Sequence, residues 1–175
     1  YMTELDKETA LIVMNPQSED ATTLRQQMMP NLLNVVKLNF DMGNKNFRMY
    51  EIGKVFHIKE KATEDSSGVE EKRKLTGCIF GSLNNEMWNK KETPDFYTLK
   101  GVIENLFDIL GLEKRIVYSP LKNPENYKFM HPFKTATVEL LGKNAINIGY
   151  FGKLHPILAD KMKLNQDLFV FELDL

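Results

Sequence analysis

The stretch "TATVELLGKNAINIGYF", residues 135–151, limits the fold more than any other part of the chain. Two segments rich in β-branched and aromatic residues flank "GKNA", a strand, turn, strand pattern. So short a connection joins antiparallel neighbours, because a parallel pair needs a crossover of a dozen residues or more. The same reasoning reads "FRMYEIGKVFHI" (47–58) as a strand paired with "KLTGCIFGSL" (74–83), and "RIVYS" (115–119) and "LFVFELDL" (168–175) as further strands. "ALIVMNP" (10–16) reads as a short strand ending at Asn15-Pro16, since proline biases the residue before it toward extended geometry.

Helices are interspersed. Pro30 suits a first helical position, Leu32, Leu33, Val36 and Phe40 recur at helical spacing, and Gly43 closes the segment. In "PDFYTLKGVIENLFDILGL", Asp95 is placed to cap and Gly111 to end a helix with a buried stripe of Leu99, Val102, Ile103, Leu106, Phe107 and Leu110. Gly101 inside that helix costs about 1 kcal/mol against alanine, which predicts another element packed closely on it. Gly53, inside a strand, predicts a bulge or a close backbone approach. A short helix starts at Pro156 in "PILADKM". Strands joined by hairpins with helices between them make an α+β domain, an antiparallel sheet flanked by helices, rather than a doubly wound parallel sheet. One domain is expected over residues 1–175, long enough to remove roughly 70% of its unfolded surface from water.

Charge and reactive groups exclude several functions. With 23 basic and 24 acidic residues the net charge is -1, so no whole-chain field draws nucleic acid or an anionic membrane. In "KEKATEDSSGVEEKRK" (59–74) bases and acids cancel, as in a solvated hairpin loop. No apolar run approaches the roughly 20 residues of a membrane span. Cys78 stands alone in an apolar segment, which excludes an internal disulfide and suits a buried thiol in a reducing cytoplasm, the expected location. Trp88 reads as an aromatic tucked under a loop. "GYFGK" is no phosphate loop, so Gly149 and Gly152 read as points of close packing, and no G-x-S-x-G elbow is present.

The histidines are His57, His131 and His155, with no H-x-x-x-H or C-x-x-C spacing for a metal. His131-Pro132 and His155-Pro156 bracket the hairpin. A two-residue loop at Lys143-Asn144 sends the two histidines to opposite faces; a three-residue loop puts them on one face. Each proline reads as ending or turning a strand, and each histidine as a hydrogen-bonding anchor for that turn.

Set in order, these segments carry a family resemblance. "NPQSEDATTLRQQMMPNLL" is similar to N-P-x-S-x-(D/E) followed by L-R-x-S-L-x-P-G-L-L; "YEIGKVF", "DFYTLKG", "HPFKTA", "GYFGKLHP" and "FVFELDL" follow. Together they resemble the synthetase-like core of the bacterial phenylalanyl-tRNA synthetase beta subunit over about residues 12–175. The motif positions are Asn15, Pro16, Leu24, Arg25, Glu51, Gly53, Asp95, Lys100, Gly101, His131, Pro132, Gly152, His155 and Pro156, and all read as structural. The chain departs from the pattern at Gln26-Gln27-Met28, Asn31, Phe133-Lys134 and Lys153.

The resemblance implies a class II aminoacyl-tRNA synthetase fold and a degenerate copy of a catalytic domain. In that family the alpha subunit activates phenylalanine with ATP and magnesium and charges tRNA, in a heterotetramer. Here His57 stands where the catalytic fold would place its motif-2 arginine, Arg48 is the one arginine in that strand, and no G-x-G-x-x-R follows. Without arginines to neutralise phosphate charge, adenylate formation loses its main electrostatic help. The implied function is a non-catalytic module, with no catalytic, cofactor-binding or metal residue, that supports the alpha subunit. Any contact with tRNA belongs to the whole enzyme. The family's opening helix and its other beta-subunit domains are not seen, as in an excised piece. The alternatives are a free-standing small ligase and an amino-acid-sensing module of the same fold.

Overall fold

Among the described residues the α-helices and strands follow one another as α1 (Met29–Asp41), β1 (Phe47–Ile58), β2 (Val69–Phe80), α2 (Phe96–Ile109), β3 (Ile116–Pro120), β4 (Met130–Leu140), β5 (Ile146–Leu154), α3 (Pro156–Lys161) and β6 (Leu168–Asp174). They come from a computed structural model that describes residues 10–16, 22–58, 68–83, 92–121 and 123–175. The strands form one antiparallel sheet in the order β1-β2-β6-β5-β4-β3. The last strand in sequence thus lies in the middle, buried on both faces from Leu168 to Leu173, which is why it carries so few polar residues.

Alternation along the strands sorts side chains onto two cores. On one face Leu32, Leu33, Val36 and Phe40 of α1 meet Cys78, Phe80, Leu168 and Val170, with α3 beside them. On the other, Leu99, Ile103 and Phe107 of α2 meet Phe151, Phe169, Phe171 and Leu173. Gly43 (φ +93°) and Gly111 (φ +68°) follow the two helices in the left-handed conformation that terminates them without a Cβ clash. Asp95 accepts from the Thr98 N–H at 2.7 Å while the Asp95 N–H donates to Thr98 Oγ1 at 3.2 Å, a reciprocal cap for α2.

Several sequence expectations are corrected. "ALIVMNP" adds no strand to the sheet: Val13 N–H donates to Thr22 O and Leu24 N–H to Leu11 O, and Ile12 and Met14 stay exposed. Among the described residues two backbone bonds hold it beside residues 22–24, with Leu11 and Val13 half-buried and no ladder to the sheet. Residues 69–74 of the charged stretch are not loop but the start of β2, where Glu71 pairs with Lys54 of β1 at 2.6 Å. Residues 59–67 and Trp88 lie outside the described residues. Val102 and Leu110 are exposed, because a helix lying on a flat sheet buries only the narrow row Leu99-Ile103-Phe107. Nothing lies within 4 Å of a Cβ built on Gly101, so no described element packs on it.

The hairpin that constrained the fold uses both register options. Leu140 pairs with Ile146, leaving a longer turn than Lys143-Asn144 alone. A shift between Val138 and Glu139 then sets Val138 opposite Gly149, the register the two-residue loop would have given. A second shift between Met130 and Thr135 crowds residues 131–134 against Lys153 alone, so parity no longer fixes where the histidines point.

Candidate functional site

α1 covers only part of its sheet face, and beyond its first turn the face opens into a polar groove. One part is a cavity of about 370 Å³. Its floor is Lys74 of β2, Glu172 and Asp174 of β6 and Tyr150 of β5. Its walls are His57, Gln26 and Gln27 ahead of α1, Tyr127 and Asn126 from the connection before β4, and Asn147. A second depression of about 320 Å³ shares Asn126, Tyr127 and Asn147 and extends the groove toward Thr137 and Glu139.

Strand register builds the floor. Lys74 sits opposite Asp174, and Glu172 sits opposite Thr76 on one side and Tyr150 on the other. Gly149 makes the approach possible, since a Cβ there would lie 2.2 Å from the Glu172 carbonyl oxygen. Glu172 is only 3% exposed, yet every direction around its carboxylate is answered. Lys74 Nζ lies 3.0 Å from Oε1, the Met29 N–H donates to Oε2 at 3.1 Å, and the Tyr150 hydroxyl stands 3.5 Å from Oε2. The Met29 bond matters for the fold, because Met28 offers no side-chain cap and a carboxylate from the far end of the chain serves the first turn of α1 instead.

Charges set what the groove accepts. Burial draws the Lys74 ammonium down, but Glu172 and then Asp174, also 3.0 Å away, outweigh it and hold its pKa above the usual value. His57 is lowered by burial first and then by Lys72 and Lys74, which favours neutral imidazole. Burial, followed by Glu172, holds the Tyr150 phenol well above its ordinary range. Two carboxylates therefore face one lysine already spanning both, and no arginine is among the lining residues. A magnesium triphosphate of the kind the resemblance implies for the whole enzyme does not fit this donor set, which repels phosphate. Arg48 points away, its Nη2 donating to Leu83 O at 2.9 Å on the α2 face. Cys78 is buried with its thiol pushed up to about 12 by desolvation, so it supplies no nucleophile. No cluster of three His, Cys, Asp or Glu arranged for a metal occurs among the described residues.

None of the motif positions lines the groove floor or walls. They sit at joints of the framework. Arg25 lies across β1: its Nε donates to Lys54 O at 2.8 Å and its Nη1 to Glu51 at 2.7 Å. Gly53 leaves the space, since a Cβ there would come within 2.1 Å of Arg25 Nη2 and 2.6 Å of the Met28 methyl. Leu24 anchors residues 22–24 through its N–H, while Asn15 and Pro16 end the preceding segment exposed. Asp95 caps α2; Lys100 pairs with Glu104 and sits over the Tyr118 ring; Gly101 faces open space. A Cβ on Gly152 would stand 2.2 Å from Lys134 O in the crowded bulge.

The two histidines do the same job. His131 Nδ1 accepts from the Phe133 N–H at 3.1 Å, and His155 Nδ1 accepts from the Ile157 N–H at 3.2 Å. In each case the ring spans the intervening proline, Pro132 or Pro156, and satisfies the first donor after it. Burial, then Lys153, Lys134 and His155, lower the His131 pKa, in keeping with a neutral acceptor.

Sequence reading missed Lys74, Tyr150, Glu172 and Asp174. One signal was available: Glu172 interrupts the apolar run "LFVFELDL" at a position that a central strand buries. Lys74 stands at the junction of the charged stretch and the strand that follows it, where nothing local marks it as facing a buried carboxylate.

Comparison with known proteins places this geometry. The family described as phenylalanyl tRNA synthetase beta chain CLM domain matches residues 1–175. The phenylalanine–tRNA ligase beta subunit of Bacillus cereus (strain ZK / E33L) is 35% identical over 176 residues, covering 100% of this chain and 20% of that protein. The beta subunits of Geobacillus kaustophilus and Bacillus subtilis are 35% and 33% identical over 91% and 98% of the chain, and 18% and 20% of those proteins. The chain thus spans about a fifth of the length of these relatives. In fold it is similar to the Desulfitobacterium hafniense pyrrolysyl tRNA synthetase, with a TM-score of 0.59 and 13% identity over 95% of this chain and 51% of that one.

Proposed function

The chain belongs to the phenylalanyl-tRNA synthetase beta chain CLM domain family, and from that premise we propose that it is a non-catalytic, synthetase-like module of a beta subunit, supporting an alpha subunit in the ATP-dependent charging of tRNA with phenylalanine. The observation that carries the proposal is the groove on the α1 face. A site that stabilises adenylate formation needs cations aimed at the developing phosphate charge. This one presents Glu172 and Asp174 around a single lysine that both already hold. The family motif residues support the same reading, because they brace the sheet and turns rather than face the groove.

The module's work on this reading is mechanical. Glu172 ties the last strand to the first helix, Arg25 fastens the segment before that helix to β1, and the two His-Pro turns fix the ends of the bulge and of β5. Such a body keeps its surface shape while a partner performs the chemistry. On this reading the module acts in the cytoplasm, in a heterotetramer with the alpha subunit. Among the described residues no helix is long and apolar enough to cross a membrane.

The test is calorimetry of the purified chain with phenylalanine and with ATP, run beside phenylalanine-dependent ATP–pyrophosphate exchange. The scaffold reading expects no heat from either ligand and exchange at the level of the blank. Heat from phenylalanine alone would make it a sensor; exchange above the blank would make it an enzyme.

A further inference from the structure

The groove on the α1 face excludes phosphate, and the residues that exclude it also define what fits. It crosses four strands, from Lys74 of β2 past Asp174 of β6 and Asn147 of β5 to Glu139 of β4, positions that the register brings almost into one row. Three strand spacings make it roughly 14 Å long. Its two depressions, of about 370 and 320 Å³, meet over Asn126, Tyr127 and Asn147, so the space has two lobes with Tyr127 at their junction. The Tyr127 ring is braced by buried Tyr150, the centroids 4.8 Å apart.

The charges of the floor are spent on one another. Lys74 Nζ lies 3.0 Å from Glu172 and 3.0 Å from Asp174, so a second cation would stand against the first and an anion against two carboxylates. Polar groups without charge remain. The side-chain amides of Asn123 and Asn126 form no hydrogen bond with any described residue, and Asp174, its side chain 45% exposed, still presents its carboxylate to the groove. An amide is donor and acceptor at once, as a hydroxyl is, and a tyrosine ring offers a flat apolar face. An uncharged ligand also loses less hydration than an ion on entering such a space. We infer that this groove binds a small uncharged ligand of two joined rings bearing hydroxyls, of the class of a nucleoside or a disaccharide. Asn126 and Tyr127 meet it where the lobes join, and its hydroxyls are set against Asp174. The inference goes beyond the scaffold reading and requires neither catalysis nor an alpha subunit.

Saturation-transfer NMR on the 175-residue chain tests this with maltose and with uridine, each beside its anionic counterpart, maltobionate and UMP. At least one uncharged compound binds with a dissociation constant below about 5 mM, and its anionic counterpart binds about tenfold more weakly; which of the two binds identifies the source. Asn126→Ala weakens that binding about fivefold at an unchanged melting temperature, because the amide it removes bonds to no described residue. Asp174→Asn narrows the preference over the anion, since one of the two repelling carboxylates is gone. No binding of either uncharged compound, equal binding of the uncharged and anionic forms, or an Asn126→Ala variant that binds like the wild type would overturn the inference. The readout involves no phenylalanine, no ATP and no pyrophosphate exchange, so its failure is distinct from failure of the scaffold reading.

Discussion

The two faces of the sheet differ in what fixes them: polar clasps inside the chain on the α1 face, apolar packing alone on the α2 face. On the α1 face a buried carboxylate has three partners and a strand glycine is roofed by an arginine and a methionine. On the α2 face a helical glycine looks onto open space, and Tyr50, Ile52, Tyr97, Val102 and Ile109 are exposed.

The largest effect should come from the centre of the α1 face. Glu172→Ala leaves the Met29 N–H and the Tyr150 hydroxyl without their acceptor and Lys74 with Asp174 alone, and breaking a buried pair in this way costs about 3–5 kcal/mol. Urea denaturation measures it. Glu172→Gln keeps an acceptor and should recover part of the loss. A cost within about 0.5 kcal/mol of the average surface substitution would show that the carboxylate is not holding α1 to the sheet.

Next comes the clasp on β1. Gly53→Ala forces the Arg25 guanidinium and the Met28 side chain aside, an overpacking cost of about 1–3 kcal/mol. If Arg25 is the obstacle, the same substitution in an Arg25→Ala background should cost clearly less. A double-mutant cycle with no coupling would mean that Gly53 is required for some other reason.

The same pair of glycines shows what the sequence did and did not disclose. Local chemistry was legible: the span of β1, the Asp95 cap, the glycines after both helices and the hairpin were all readable from turn residues, caps and alternation. Resemblance identified motif positions but not their partners, since Arg25 and Glu51 meet across 26 residues of chain. The groove was not legible at all. Lys74, Tyr150 and Glu172 come from three strands whose adjacency depends on β6 inserting between β2 and β5, a fact of sheet order that no local pattern encodes. Gly101 failed for a related reason: a helix-interior glycine signals a cost, and only the assembled surroundings reveal whether anything in this chain recovers it.

That failure gives a prediction of opposite sign. Gly101→Ala should stabilise the isolated chain by about 0.5–1 kcal/mol, since alanine removes the backbone-entropy cost and its methyl meets nothing. For a domain of this size the melting temperature rises by about 2–4 °C per kcal/mol. Destabilisation would place a contact on that face of α2 within the chain itself and erase the contrast with Gly53.

The smallest effect is acidic. His57 and His131 are both held below the ordinary histidine pKa of 6.5, in each case by burial first and neighbouring lysines second. Between their folded values and 6.5 the unfolded chain binds more protons than the folded one, so stability is full above about pH 6.5 and declines as the pH falls through that window. Both rings are largely solvated, which keeps the slope shallow. At His131 the proton would also occupy Nδ1, the acceptor of the Phe133 N–H. Melting curves at pH 7.5 and 5.5 should therefore separate slightly in the wild-type chain and less in a His57→Gln, His131→Asn double variant, where asparagine still offers an oxygen to the turn. Equal slopes in the two proteins would remove the histidines from the account, and a chain that became more stable in acid would reverse the sign assigned to them.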